Sequence, residues 1–269
     1  MTERSWPWWA VFPIALGAVV ASGIVYAIVA ALRHGGAIVH QAGSVGVALH
    51  GTPPVLVFAG TVAQDAFAAG AAIYLAVAAL RSAPAGLSAL GFRPPARWFS
   101  SLAFVLTGYV VFILVSALWT SGLGLKDHES IPIELGSRDS GLAAAGALLL
   151  TCVVAPLCEE TLFRGYLYGA LRRHGVVVAA LVTGVLFGGV HVVSAPVGFL
   201  VPLGVLGVIL CLLYERTGSL YPSIALHALN NSVAFGVGDG RAWLIPVGLA
   251  AAGVTVAALS RFMPAVSTA

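Results

Sequence analysis

Of the 269 residues, 59% are hydrophobic and only 9% are Asp, Glu, Lys or Arg, and the mean hydropathy is +1.00. Charged residues make up about a quarter of an ordinary soluble domain, so that class is excluded and an all-α, polytopic membrane bundle is expected. The net charge of +3 comes from scattered residues with no basic run, which argues against nucleic-acid binding.

Apolar runs of about 20 residues, bounded by charge or by Gly and Pro, predict about eight transmembrane segments. They cover residues 7–32, 53–80, 97–121, 140–171, 176–193, 196–214, 219–237 and 242–260. The first run is too long, and too poor in a small-residue cleavage signal, for a signal peptide, and Trp6, Trp8 and Trp9 suit an interfacial anchor. The segment with Gly91, Phe92, Arg93, Pro94 and Pro95 reads as a connection between the second and third spans, and the polar stretch from Gly122 to Ser140 as a solvated loop. The fourth run would extend about 48 Å as one helix against a hydrocarbon core of about 30 Å, so a kinked or two-part helix broken at Pro156 is expected. Cys152, Cys158 and Cys211 lie in apolar segments without C-x-x-C spacing and read as small buried hydrophobes.

With both termini cytoplasmic, the inner segments carry Arg4, Arg81, Arg93, Arg97, Arg172, Arg173, Arg216 and Arg261, against Arg33, Lys126, Arg138 and Arg241 outside. The positive-inside rule favours that orientation. Residues 1–139 would supply three spans, 140–237 the chemically active core, and 238–269 the last span and tail, all within one integrated membrane domain.

The fourth segment contains Glu159, Glu160 and Arg164 directly after an apolar run. Ionised side chains near a bilayer centre cost roughly 2.5 to 3.5 kcal/mol on insertion scales, so they sit in protein interiors or aqueous cavities and usually serve a function. Glu160 and Arg164, Phe187 and His191, and His227 and Asn231 are all i, i+4 pairs, so each pair projects from one helix face. Glu159 lies 15 residues before His174 at the following turn and His191 lies 17 after it, which places them at similar depth in a helical hairpin. Either histidine alone could be an interhelical hydrogen-bonding residue, and Glu160 with Arg164 an ion pair tying the helix; Glu159 has no partner at helical spacing. Gln64 and Asp65 are a further polar pair in the second span; they could line the same cavity, but nothing in their spacing links them to the other residues, and a structural hydrogen-bonding role is expected.

The ordered set E-E-x-x-x-R at 159–164, F-x-x-x-H at 187–191 and H-x-x-x-N at 227–231 resembles the CAAX prenyl protease 2 and bacteriocin-processing (CPBP, or Abi) family of intramembrane proteases. The resemblance covers residues 140–237 and implies an eight-helix membrane endopeptidase with a cavity reached from the cytoplasmic side and from lipid. It further implies that Glu159 is the general base activating water, assisted by His191, and that His227 and Asn231 stabilise the oxyanion. Glu160, Arg164 and Phe187 would be supporting residues.

The family is often labelled metalloprotease, and Glu159, His191 and His227 would be the ligands if Zn²⁺ were present. The H-E-x-x-H helix is absent and Asn is an uncommon zinc ligand, so glutamate catalysis without an obligatory metal or cofactor is expected. A non-catalytic immunity or scaffold protein retaining the cavity is the alternative. A proton-coupled transporter is a further one, although the repeated halves of such proteins are not evident. Abundant Ala, Gly, Val and Arg with a single Lys suggests a bacterial plasma membrane, where the partners would be the lipid bilayer and a peptide or small membrane-protein substrate.

Overall fold

A computed structural model describes residues 6–34, 53–125, 133, 135–193 and 195–262. Among them are nine helices and no strand. They are α1 (Val11–His34), α2 (Pro54–Leu80), α3 (Ala83–Leu90), α4 (Trp98–Leu123), α5 (Gly141–His174), α6 (Val176–Val190), α7 (Leu200–Thr217), α8 (Leu220–Gly238) and α9 (Leu244–Phe262). All eight expected segments correspond to helices. Six helices are long and apolar enough to cross a membrane, namely α1, α2, α4, α5, α7 and α9. Large apolar side chains such as Phe99, Leu118, Leu142 and Val185 point outward, as a lipid solvent permits. The chain is an integral membrane protein.

The short helix α3 is an element that the hydropathy pattern does not reveal. It is capped by the Ser82 hydroxyl, which accepts from the Ala85 amide. Gly91 follows at φ 101°, where the Tyr214 ring would lie 2.5 Å from an added Cβ, so glycine is required twice over. The Tyr214 hydroxyl donates to the Leu90 carbonyl at 3.0 Å, and Arg93 Nε donates to Gly218 O at 2.8 Å. The connection before α4 is thereby tied to the α7–α8 turn.

Helix α5 does not break at Pro156; it runs from Gly141 to His174 as one span of 34 residues. Its geometry widens to π-helical over Leu150–Val154 and again over Thr161–Tyr168, on either side of the α-helical turns Ala155–Glu160. A proline ring lacks an N–H and crowds the preceding turn, and widening absorbs that misfit without ending the helix. The Tyr166 carbonyl in the second widened stretch, which accepts from the Gly169 amide, takes a further donor. Trp6 Nε1 donates to Tyr166 O at 3.1 Å while its ring stacks on Tyr166 at 5.6 Å. Trp6 is therefore buried in protein rather than an interfacial anchor, whereas Trp9 is exposed.

The far end of α5 is held to α7 by Arg172, which donates to both carboxylate oxygens of Glu215 at 2.8 and 2.6 Å, with the Tyr168 hydroxyl adding a third bond at 2.9 Å. Helices α6 and α7 meet along glycines. An added Cβ would sit 2.5 Å from Leu200 O at Gly188 and 2.8 Å from Gly204 O at Gly184. This close backbone approach is the usual small-residue solution to helix packing in lipid.

Part of the expected loop 122–140, including Asp127, Glu129 and Glu134, lies outside the described residues. Its end is not simply solvated. The Ser137 hydroxyl and Arg241 Nε both donate to the buried Asp239 carboxylate, Arg138 Nη2 donates to Asp239 O at 3.0 Å, and Arg241 Nη2 donates to Ser137 O at 2.6 Å. The bond from Arg241, followed by that from Ser137, holds the Asp239 carboxyl below the usual carboxylate range, against the opposing effect of burial. A depressed native pKa stabilises the fold above the unfolded value and loses that contribution as pH falls through the native one. Asp239→Asn should therefore lower the melting temperature in detergent near about pH 7, with the gap to the native protein closing on acidification below about pH 4. A gap that persists in acid would mean that the clasp acts through shape alone.

Candidate active site

A cavity of about 560 Å³ opens among α1, α2, α5, α6, α7 and α8, and Glu159, His191, His227 and Asn231 all line it. Glu160 and Arg164 lie behind its wall. The two pairings at i, i+4 on α5 and α8, and the third at the end of α6, thus meet at one place although they come from three helices.

Glu159 Oε2 is buried and has no hydrogen-bond partner among the described residues. It lies 3.9 Å from Nε2 of His191 and 3.9 Å from Nε2 of His227. Both separations are too long for a direct hydrogen bond and suit a shared small molecule such as water.

His191 caps α6 and begins a short turn, His191–Val193. Fifteen residues of helix rise about 22 Å, short of a hydrocarbon core of about 30 Å, so this irregular backbone is tolerable because it borders a cavity inside the protein. Nδ1 of His191 donates to the Phe187 carbonyl at 2.7 Å. A carbonyl can only accept, so Nδ1 carries a proton and Nε2 is the ring nitrogen on the side of Glu159.

His227 is oriented differently. Its Nδ1 lies 2.8 Å from Glu160 Oε1, which also pairs with Arg164 Nη1 at 3.0 Å. Both members of the Glu160–Arg164 pair are fully buried. With an ionised Glu160 as acceptor, the His227 proton sits on Nδ1, and Nε2 becomes a donor only when the ring is an imidazolium.

Phe187 joins these groups. Its fully buried ring lies 4.3 Å from the Arg164 guanidinium carbon, 5.0 Å from the His191 ring and 5.5 Å from the His227 ring. Arg164 Nη2 completes the arrangement by donating to Gly207 O at 3.3 Å. Helix α7, held close by its glycines, thus backs the site without contributing one of the motif residues.

Asn231 Nδ2 donates to Thr151 O at 2.9 Å, a carbonyl in the first π-helical stretch of α5. One amide hydrogen remains for the cavity. Asn230 and Thr151 line the cavity too, and were not singled out from the sequence; the signal for Asn230 was its i, i+3 spacing from His227. Gln64 and Asp65 also line this cavity, the less favoured of the two places open to them from the sequence.

Among the described residues, no three His, Cys, Asp or Glu side chains are grouped so as to hold a metal ion. The Nδ1 atoms of His191 and His227 are bonded to Phe187 O and Glu160, so Nε2 of each ring is the nitrogen turned toward Glu159 Oε2.

Residues 141–233 match the family model described as type II CAAX prenyl endopeptidase Rce1-like. The chain is 29% identical over 143 residues to UPF0177 protein YxdF of Lactococcus lactis subsp. lactis (strain IL1403), an alignment that covers 50% of this chain and 76% of that protein. No solved structure matches the chain. The family match spans all three motifs, from Glu159 on α5 to Asn231 on α8, so the part of the chain that builds the cavity is similar to the Rce1-like type II CAAX prenyl endopeptidases.

Proposed function

We propose that the protein is an intramembrane endopeptidase in which Glu159 activates a water held between its Oε2 and Nε2 of His191. The match of residues 141–233 to the type II CAAX prenyl endopeptidase model supports the protease role. The observation that carries the finer reading is the buried, unpartnered Glu159 oxygen placed equidistant from two imidazoles.

In this mechanism the water donates one hydrogen to Glu159 and the other to the His191 lone pair, which turns its own lone pair toward the substrate carbonyl. Glu159 takes a proton as the C–O bond forms, and the carbonyl oxygen becomes an oxyanion. Asn231, through its remaining amide hydrogen, and protonated His227, through Nε2, stabilise that charge. A group of this kind typically contributes about 10²–10³ in rate. The proton then passes, with His191 assisting, to the leaving amine as the C–N bond breaks. Glu160, Arg164 and Phe187 hold His227 and His191 in place.

The substrate is a peptide or small membrane protein cleaved near the cytoplasmic membrane face, a leader peptide being one such class. Comparing membrane-embedded peptides in cells that carry the native protein or Glu159→Ala tests this: new peptide termini should appear only with the native protein. Identical peptide sets would sink the peptidase reading. The mechanism contains no metal step, so activity should survive prolonged treatment with a strong chelator. Loss on chelation with recovery on added Zn²⁺ would replace Glu159 by a metal as the activator of water.

A further inference from the structure

Asp65 has no part in the chemistry above. On α2, Thr61, Gln64, Asp65 and Ala68 line the cavity at the i, i+3, i+4 and i+7 spacing of a single helix face. Asp65 is only 6% exposed, and its Oδ2 lacks a hydrogen-bond partner among the described residues. A buried carboxyl without a partner is strongly unfavourable, and such groups are normally completed by a cation or a donor. No Arg or Lys among the described residues lines the cavity. The buried guanidinium of Arg164 lies behind the wall and faces Glu160, Gly207 and the Phe187 ring. The ionisable neighbours that share the cavity are Tyr26, Cys158, Glu159, His191 and His227, and Asp65 interacts electrostatically with Glu159. The cavity thus holds two carboxyls and no fixed cation. On its α1 side part of the wall is apolar, formed by Val11, Ala15, Ala18 and Val19, with Ser22 and Tyr26 further along the helix.

We propose that Asp65 is a recognition site for an aliphatic ammonium group of the substrate, either a lysine side chain or a free amino terminus, with Gln64 beside it as a second acceptor. The ammonium supplies the cation that the protein omits, while the methylene stem rests on the apolar α1 wall. The inference rests on the peptidase reading only in taking the ligand to be a peptide.

The test uses the full-length protein carrying Glu159→Gln, which binds without turnover, in phosphatidylcholine proteoliposomes. The probes are three fluorescent apolar peptides of one sequence: an internal lysine with a blocked amino terminus, norleucine with a free amino terminus, and norleucine with a blocked one. A charge-assisted hydrogen bond corresponds to roughly 10- to 100-fold in affinity, so at least one ammonium-bearing peptide should bind that much more tightly than the fully blocked one. Which of the two does so separates side chain from amino terminus. Added Asp65→Asn should erase the preference and leave the affinity of the blocked peptide unchanged, while Asp65→Glu should keep part of it and serve as the control for folding. Equal binding of all three peptides, or a preference that persists in Asp65→Asn, would overturn the site. Cleavage of the same peptides by the native protein is a separate readout. Binding preference without cleavage would sink the peptidase reading and leave the ammonium site standing, and cleavage without preference would do the reverse.

Discussion

Glu159→Gln is expected to remove peptide cleavage by about 10²–10⁴-fold while the protein still folds and inserts. The amide keeps the size and planarity of the carboxylate. Because Oε2 of Glu159 makes no hydrogen bond among the described residues, the substitution breaks none there. What it removes is the ability to accept a proton from water, and the new NH₂ group can instead donate to the nearby Nε2 atoms, 3.9 Å away in the native arrangement. Cleavage should be read from new peptide termini in proteoliposomes, alongside the melting temperature of the purified protein. A variant that loses folded protein in step with activity would make Glu159 a structural residue. One that cleaves at the native rate would remove it from the mechanism.

The helical part of the fold was legible because α1, α2 and α4 to α9 are each long apolar runs between polar turns, and lipid rewards that pattern directly. The motif residues were legible because i, i+4 spacing fixes a shared face, and equal distance from the turn at His174 fixes the depth of Glu159 relative to His191. Asp65 was not, since nothing in the number of residues between positions 65 and 159 says that α2 packs beside that part of α5. Helix docking is decided by side-chain packing, which no periodicity records. The same applies to Asn231 and Thr151. Their bond depends on a carbonyl in a π-helical stretch, and π geometry follows from how Pro156 and its neighbours are accommodated rather than from apolar spacing. Trp6 illustrates the opposite error: an aromatic residue next to a span reads as an interfacial anchor, whereas the Tyr166 ring and carbonyl take it into the interior.

Glu160→Gln and Arg164→Ala should behave quite differently from Glu159→Gln, by lowering the yield of folded protein. Both side chains are completely buried, and Arg164 is held on three sides by Glu160 Oε1 at 3.0 Å, Gly207 O at 3.3 Å and the Phe187 ring at 4.3 Å. Removing one member of such a pair strands the other charge in a medium that cannot solvate it, at a cost of about 3–5 kcal/mol. Glu160→Gln also replaces the anionic acceptor of His227 Nδ1 by a neutral amide oxygen and so withdraws support from an imidazolium at His227, and whatever folds should show poor catalysis as well. The pair as a whole need not be stabilising, because its mutual attraction is set against the desolvation of two ions. The double variant Glu160→Gln with Arg164→Met removes both charges and keeps most of the volume, and it should recover a large part of the stability lost by either single change. That non-additivity, measured as a double-mutant cycle on melting temperature, separates a buried ion pair from two independent packing residues. Additive losses, or single variants as stable as the native protein, would show that the charges are not coupled, and the support that His227 draws from Glu160 would have to come from elsewhere in the wall of the cavity.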